Sequence, residues 1–185
     1  MELLVDLWLP ILLSGIALFF ASFLSWMVVQ LHQSDWRKLP AEDEFLRAAR
    51  AMNLSPGNYM FPGCSTRDEM KSPEHQQKMA AGPRGILTVF PMEEMGKSMG
   101  RNLALTILYF LVVSFCIAYL ATLGLTRGAE FRQVFRFVST AGLLVFLSAI
   151  VQHSIWFRCR IMGHVIESIA YAAILGAIFG AFWPN

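Results

Sequence analysis

The chain has 185 residues, of which 56% are hydrophobic and only 15% charged. A soluble domain normally carries about 25% charged residues, so the balance is that of a membrane protein. A formal net charge of +2 is too small to point to nucleic acid. Cys64, Cys116 and Cys159 are odd in number and share no CxxC spacing, which argues against a disulfide framework and for reduced thiols.

The segment 1–31 opens with Glu2 and Asp6 and has no Lys or Arg before its apolar run, Leu7 to Leu31. That run exceeds the roughly 7–15 residues of a signal-peptide core, and no A-x-A site follows it. It reads as an uncleaved spanning helix with Pro10 in its first turn, where a missing N–H costs little. Ser14, Ala17, Ala21 and Ser25 form a small-residue face suited to meeting another helix.

Residues 32–101 form the one sizeable polar insert. Pro40 followed by Glu42, Asp43 and Glu44, with Arg47 and Arg50 later, predicts a helix ending near Asn53. Ser72-Pro73 predicts a capped second helix that stops at Gly82-Pro83. Gly85 to Phe90 is the best strand candidate and can pair with 59–61, although two strands alone are marginal. Gly96-Lys97-Ser98 invites a phosphate-loop reading, but that pattern needs glycine where Pro91 stands. Lys97 and Arg101 are read instead as anchors at anionic headgroups.

Residues 102–185 hold three more spans, about 103–123, 131–152 and 162–183. Each covers roughly 30 Å, enough for one crossing. The predicted fold is therefore an all-α membrane protein, a four-transmembrane-helix bundle with a small insert between helices 1 and 2. Arg37, Lys38, Lys97, Arg101, Arg158 and Arg160 gather on the insert side, against Arg127, Arg132 and Arg136 on the other. The positive-inside rule then places the insert in the cytoplasm and both termini outside. Trp8 and Trp183 would mark the outer interface, and Trp36 and Trp156 the inner one.

The last span carries one acid, Glu167, with His164 three residues before it on the same helix face. Ser168, Ala172, Gly176 and Gly180, each four apart, form a small-residue seam below them. An ionisable pair above such a seam points toward other helices. His32, Gln152, His153, His164 and Glu167 all fall at the cytoplasmic end, so three histidines from three helices could converge near one carboxylate. Imidazole and carboxylate suit a transition metal, with His32, His153, His164 and Glu167 as its ligands, or a proton relay. The plainer alternative is interfacial histidines facing headgroups, with Glu167 hydrogen-bonded to a neighbouring helix. At the other end, Asp6 could pair with Arg136, unless Arg136 snorkels to the interface.

The runs LPAED, PGNYMFP, MGKS and FGAFWP resemble a group of small, uncharacterised bacterial inner-membrane proteins sharing LP-x-E-D, P-G-x-Y-M-F-P, M-G-K-S and F-G-x-x-W-P. The resemblance covers most of the chain. It implies a bacterial inner-membrane protein with four spans, and transfers no activity. The group's acid in the last span looks like Glu167, whereas His153 and His164 have no counterpart in the pattern, which counts against a metal.

Three functions stay open. The first is a non-catalytic accessory or assembly subunit of a larger membrane complex, meeting other subunits or itself through the small-residue helix faces. The second is a small transporter or proton-conducting channel using Glu167 and His164. The third is a metal-binding membrane protein. No catalytic triad or phosphate cradle is visible, so an enzyme is the less favoured class and no cofactor beyond that transition metal is expected.

Overall fold

A computed structural model describes all residues except Met1, Glu93, Glu94 and Arg158, the last being one of the basic residues counted on the insert side. The chain divides into two compact units, Met1–Arg37 with Gly96–Asn185, and Lys38–Met95.

The first unit is the bundle. A short α1 (Glu2–Asp6) breaks at the buried Leu7, and α2 (Trp8–Phe23) follows, its last turns widening into a π-helical segment, Leu24–Val29. The other long helices are α6 (Met95–Gly124), α7 (Phe131–Phe157) and α8 (Met162–Ala181). Four helices are long and apolar enough to cross a membrane: Trp8–Val29, Gly96–Gly124, Phe131–Phe157 and Met162–Ala181. Phe20, Leu108, Leu144 and Ile169 are exposed on their outer faces, which lipid tails would cover. The protein is thus an all-helical, multi-pass membrane protein. Helix α6 starts eight residues before the expected Leu103, and α7 continues five beyond Gln152. Hydropathy marks only the part that fits the lipid; the backbone ladder continues until something breaks it.

The closest packing joins α7 to α8 through the small-residue seam. A Cβ on Gly142 would lie 3.3 Å from the Ala172 Cα, and one on Gly176 would lie 3.0 Å from the Phe135 carbonyl oxygen. Gly180 faces the Phe131 ring in the same way. The face of α2 also turns inward: Ser14 and Ser25 are buried, and Ala17 and Ala21 are half-buried. Beside Ser14, a Cβ on Gly15 would lie 3.3 Å from the Leu111 Cα of α6. Both seams therefore have partners within this chain. The core between the helices is apolar, with Leu18, Ile117, Val134, Val138, Leu175 and Phe179 fully or almost fully buried. Phe110, Phe146 and Tyr171 meet edge to face across α6, α7 and α8.

At the end carrying both termini, the 125–130 loop is held from two sides. Trp183 Nε1 donates to the Thr126 carbonyl at 2.9 Å, and the Gly128 N–H donates to the Pro184 carbonyl at 2.9 Å. Gly128 has φ 71°, a conformation open to glycine. Asp6 pairs with Arg127 of this loop, which corrects the expected Asp6–Arg136 pair. The break at Leu7 lets α1 approach the loop, while Arg136 lies on an exposed face of α7. Trp183 is buried. Its indole serves the loop carbonyl.

In the second unit, α3 (Glu42–Ala51) leads to β1 (Gly57–Phe61), then α4 (Arg67–Lys71), α5 (Pro73–Ala81) and β2 (Gly85–Val89). The strands form the anticipated antiparallel pair, with Gly57 opposite Val89 and Phe61 opposite Gly85. Ser72 caps α5 by accepting from His75 N–H, and Gly82 ends it at φ 63°. Helix α4 was not anticipated; the Thr66 hydroxyl caps it by accepting from Glu69 N–H. The compact unit, Lys38–Met95, is narrower than the expected insert, 32–101. Residues 32–37 belong with the bundle and 96–101 are already helical.

Candidate functional site

The site is built by the way α2 ends. The π-helical turn closes with the Leu31 N–H donating to the Ser25 carbonyl at 3.1 Å, and Gln30 turns left-handed at φ 55°. The chain reverses into a 3₁₀ turn, Gln33–Asp35, flanked by His32. The Asp35 N–H donates to the His32 carbonyl at 3.0 Å, and the Asp35 side chain folds back, its Oδ2 2.7 Å from His32 Nδ1. Trp26 stacks on the other face of this arrangement, its ring 4.2 Å from the imidazole and nearly parallel.

The start of α8 completes the site. Gly163 has no side chain, and that space is where the His32 ring lies. The His164 ring centre is 4.4 Å from that of His32. One turn on, Glu167 Oε2 lies 3.2 Å from His32 Nε2 and 3.9 Å from His164 Nδ1. Arg160 donates to the Ser34 carbonyl at 3.2 Å, and its Nε lies 3.9 Å from the other Asp35 oxygen, Oδ1. His32 and Glu167 are 2% and 8% exposed, whereas His164 keeps a third of its side chain accessible.

Hydrogen bonding makes this cluster unusual. An ionised carboxylate only accepts, so Asp35 places a His32 proton on Nδ1, and Nε2 presents a lone pair in the neutral ring or a second N–H in the imidazolium. Nε2 faces a second carboxylate. Despite the 3.2 Å approach, His32 Nε2 has no hydrogen-bond partner among the described residues, and neither has the buried Glu167 Oε1. Such a contact away from water needs a proton or another positive charge between the two atoms. The polar chain extends one step deeper, to Tyr171, which lies close to Ser22 and Glu167. Beyond it, Leu18, Ile117, Leu175 and Phe179 are buried and close the bundle.

Of the residues singled out in the sequence, His32, His164 and Glu167 are in direct contact; Gln152 and His153 are outside that contact, although His153 lies near enough to His164 for their charges to interact. Both are exposed on α7, and His153 packs against the Phe157 ring at 4.5 Å. Because α7 runs on to Phe157, His153 sits within a helix and not at its end. The expected ligand set of His32, His153, His164 and Glu167 therefore loses His153. Asp35, Trp26, Gly163 and Arg160 are the additions. Their readable signals are slight: the His-x-x-Asp spacing, and a glycine directly before His164. Cys64 and Cys159 are half-buried free thiols, and Cys116 is an exposed one. No protein-family model, curated protein or solved structure matches this chain.

Proposed function

We propose that the protein is a small cation- or proton-coupled carrier of the bacterial inner membrane, with Glu167 as the charge-binding group and His32 as its partner. The observation that carries this reading is the buried Glu167 carboxyl group facing His32 Nε2 at 3.2 Å. Such an intramembrane pair can bind and release one positive charge. Its mouth is the half-exposed His164 side. The apolar core around Leu18, Leu175 and Phe179 blocks a continuous pore, which favours a carrier that must rearrange over an open channel.

The basic residues on the insert side favour a cytoplasmic insert and external termini, so the site would open to the cytoplasm. An impermeant thiol reagent tests this: it should label Cys64 in inside-out vesicles and not in right-side-out ones, and the reverse would invert the topology.

The accessory-subunit reading drew on small-residue faces needing partners, and those faces are met within the chain. It would return, and the carrier reading would fall, if the native particle were far heavier than a few copies of 20.8 kDa and the isolated chain moved no charge. The direct test is reconstitution into vesicles under an imposed proton gradient. Wild-type protein should carry charge and Glu167→Gln should not, with equal helical content. No flux, or flux unchanged by the substitution, overturns the reading.

A further inference from the structure

We infer that the loop-end cluster is a binding site for one divalent transition metal of the zinc class, held by His32 Nε2, Glu167 and His164 Nδ1, with Asp35 orienting His32. This names the ion class for the carrier reading and rests on that reading for its role, although the site itself rests on geometry.

Four observations converge. The donor set is two imidazoles and a carboxylate, which suits borderline metals and not the all-oxygen shells of magnesium or calcium. The spacing is close on one side: ligands about 2.0–2.2 Å from a tetrahedral metal stand roughly 3.3–3.5 Å apart, Glu167 Oε2 lies 3.2 Å from His32 Nε2, and the wider 3.9 Å to His164 Nδ1 would have to shorten on binding. Among the described residues, His32 Nε2 lacks a hydrogen-bond partner here, and so does the other Glu167 oxygen, Oε1; both side chains are more than nine-tenths buried. Finally, Asp35 on Nδ1 at 2.7 Å forms the carboxylate–histidine arrangement that fixes the tautomer of metal-bound imidazoles.

Asp35 is itself close: single ligand atoms of His32, Asp35 and His164 lie within 4.8 Å of one another, a set that does not extend to Glu167. It is nevertheless assigned the orienting role, because it already occupies Nδ1 and its Oδ1 faces Arg160. A metal on that side would meet the guanidinium, whereas the Glu167 side offers a carboxylate with no cation of its own. The half-exposed His164 leaves a way in and an open fourth position for water or an exchanging ligand.

The test uses the full chain in detergent, stripped with chelator and titrated with zinc against a chromophoric competitor, with cobalt(II) as a spectroscopic stand-in. One equivalent should bind. Glu167→Gln and His164→Ala should each weaken binding at least a hundredfold; His164→Ala, at a half-exposed position, leaves the core packing intact. Asp35→Asn should weaken binding about 10–100-fold while keeping the cobalt ligand-field bands, as an orienting residue does. His153→Ala should change nothing. Absence of zinc binding overturns the inference, as does binding that survives Glu167→Gln or is lost with His153→Ala. If zinc fails to bind but Glu167-dependent proton flux persists, this inference alone falls. If zinc binds and neither zinc nor protons cross the vesicle, the site stands and the carrier reading falls.

Discussion

Gly163 and His32 are in direct backbone-to-ring contact: a Cβ on Gly163 would stand 2.9 Å from His32 Cε1 and 3.1 Å from Nδ1. The buried ring cannot withdraw, because Trp26 stacks on it and Asp35 holds Nδ1. Gly163→Ala should therefore raise helix propensity by up to about 1 kcal/mol and yet displace the imidazole, weakening zinc binding about tenfold or more, the range expected when a ligand is misoriented. Gly100→Ala, with nothing within 4 Å of its Cβ, should gain stability and leave zinc affinity unchanged. Equal affinities in the two variants would show that the contact does not position His32.

The loop holding both termini yields a graded series. Trp183→Phe keeps an aromatic ring but removes the N–H given to Thr126. Stranding that carbonyl should cost about 1–3 kcal/mol. Asp6→Asn should cost no more than about 1 kcal/mol, and less at high salt, because the Asp6 and Arg127 side chains are 42% and 46% exposed. Arg136→Ala should fall within about 0.5 kcal/mol of wild type, as an exposed site does. Thermal unfolding in one detergent gives the order. If Arg136→Ala matched Asp6→Asn in size and salt dependence, Arg136 would be the true partner.

Much of this architecture was legible because lipid imposes a simple rule: about 20 apolar residues per crossing. That rule located all four helices and the polar insert between the first two. Its failures have local causes. The extra length of α6 and α7 lies outside the hydrophobic window, so hydropathy alone puts the end of α7 at His153, four residues short of Phe157. Asp35 was missed because the reversal that returns it to His32 turns on Gln30 at φ 55°, where no Gly or Asn signals a left-handed residue. The spacing of Ser168, Ala172, Gly176 and Gly180 correctly marked a packing face. It could not say that the partner would be α7 of the same chain.

That seam makes its own prediction. Gly176→Val places methyl groups where a Cβ alone would lie 3.0 Å from the Phe135 carbonyl oxygen and 3.1 Å from the Ser139 Cβ. Backbone cannot yield as a flexible side chain can, so overpacking should cost about 1–3 kcal/mol. Ala177→Val, one residue along and exposed, should stay within about 0.5 kcal/mol of wild type. A tolerant Gly176 would mean that α7 and α8 are not in contact along this stripe.

The insert should respond separately from the bundle. Gly82 ends α5 at φ 63° and ψ −175°, a region open almost only to glycine, although nothing lies within 4 Å of its would-be Cβ. Gly82→Ala is therefore a conformational cost without a clash, about 1–3 kcal/mol. Ser72→Ala removes the hydroxyl that accepts from His75 N–H at the other end of α5, for about 1 kcal/mol. Lys38–Met95 is a compact unit of its own, so both costs should appear as faster amide exchange in Pro73–Ala81, and for Gly82→Ala also in Gly85–Val89. Exchange in α7 and α8 should stay at wild-type rates. Faster exchange there too would mean that the insert and the bundle unfold as one cooperative block.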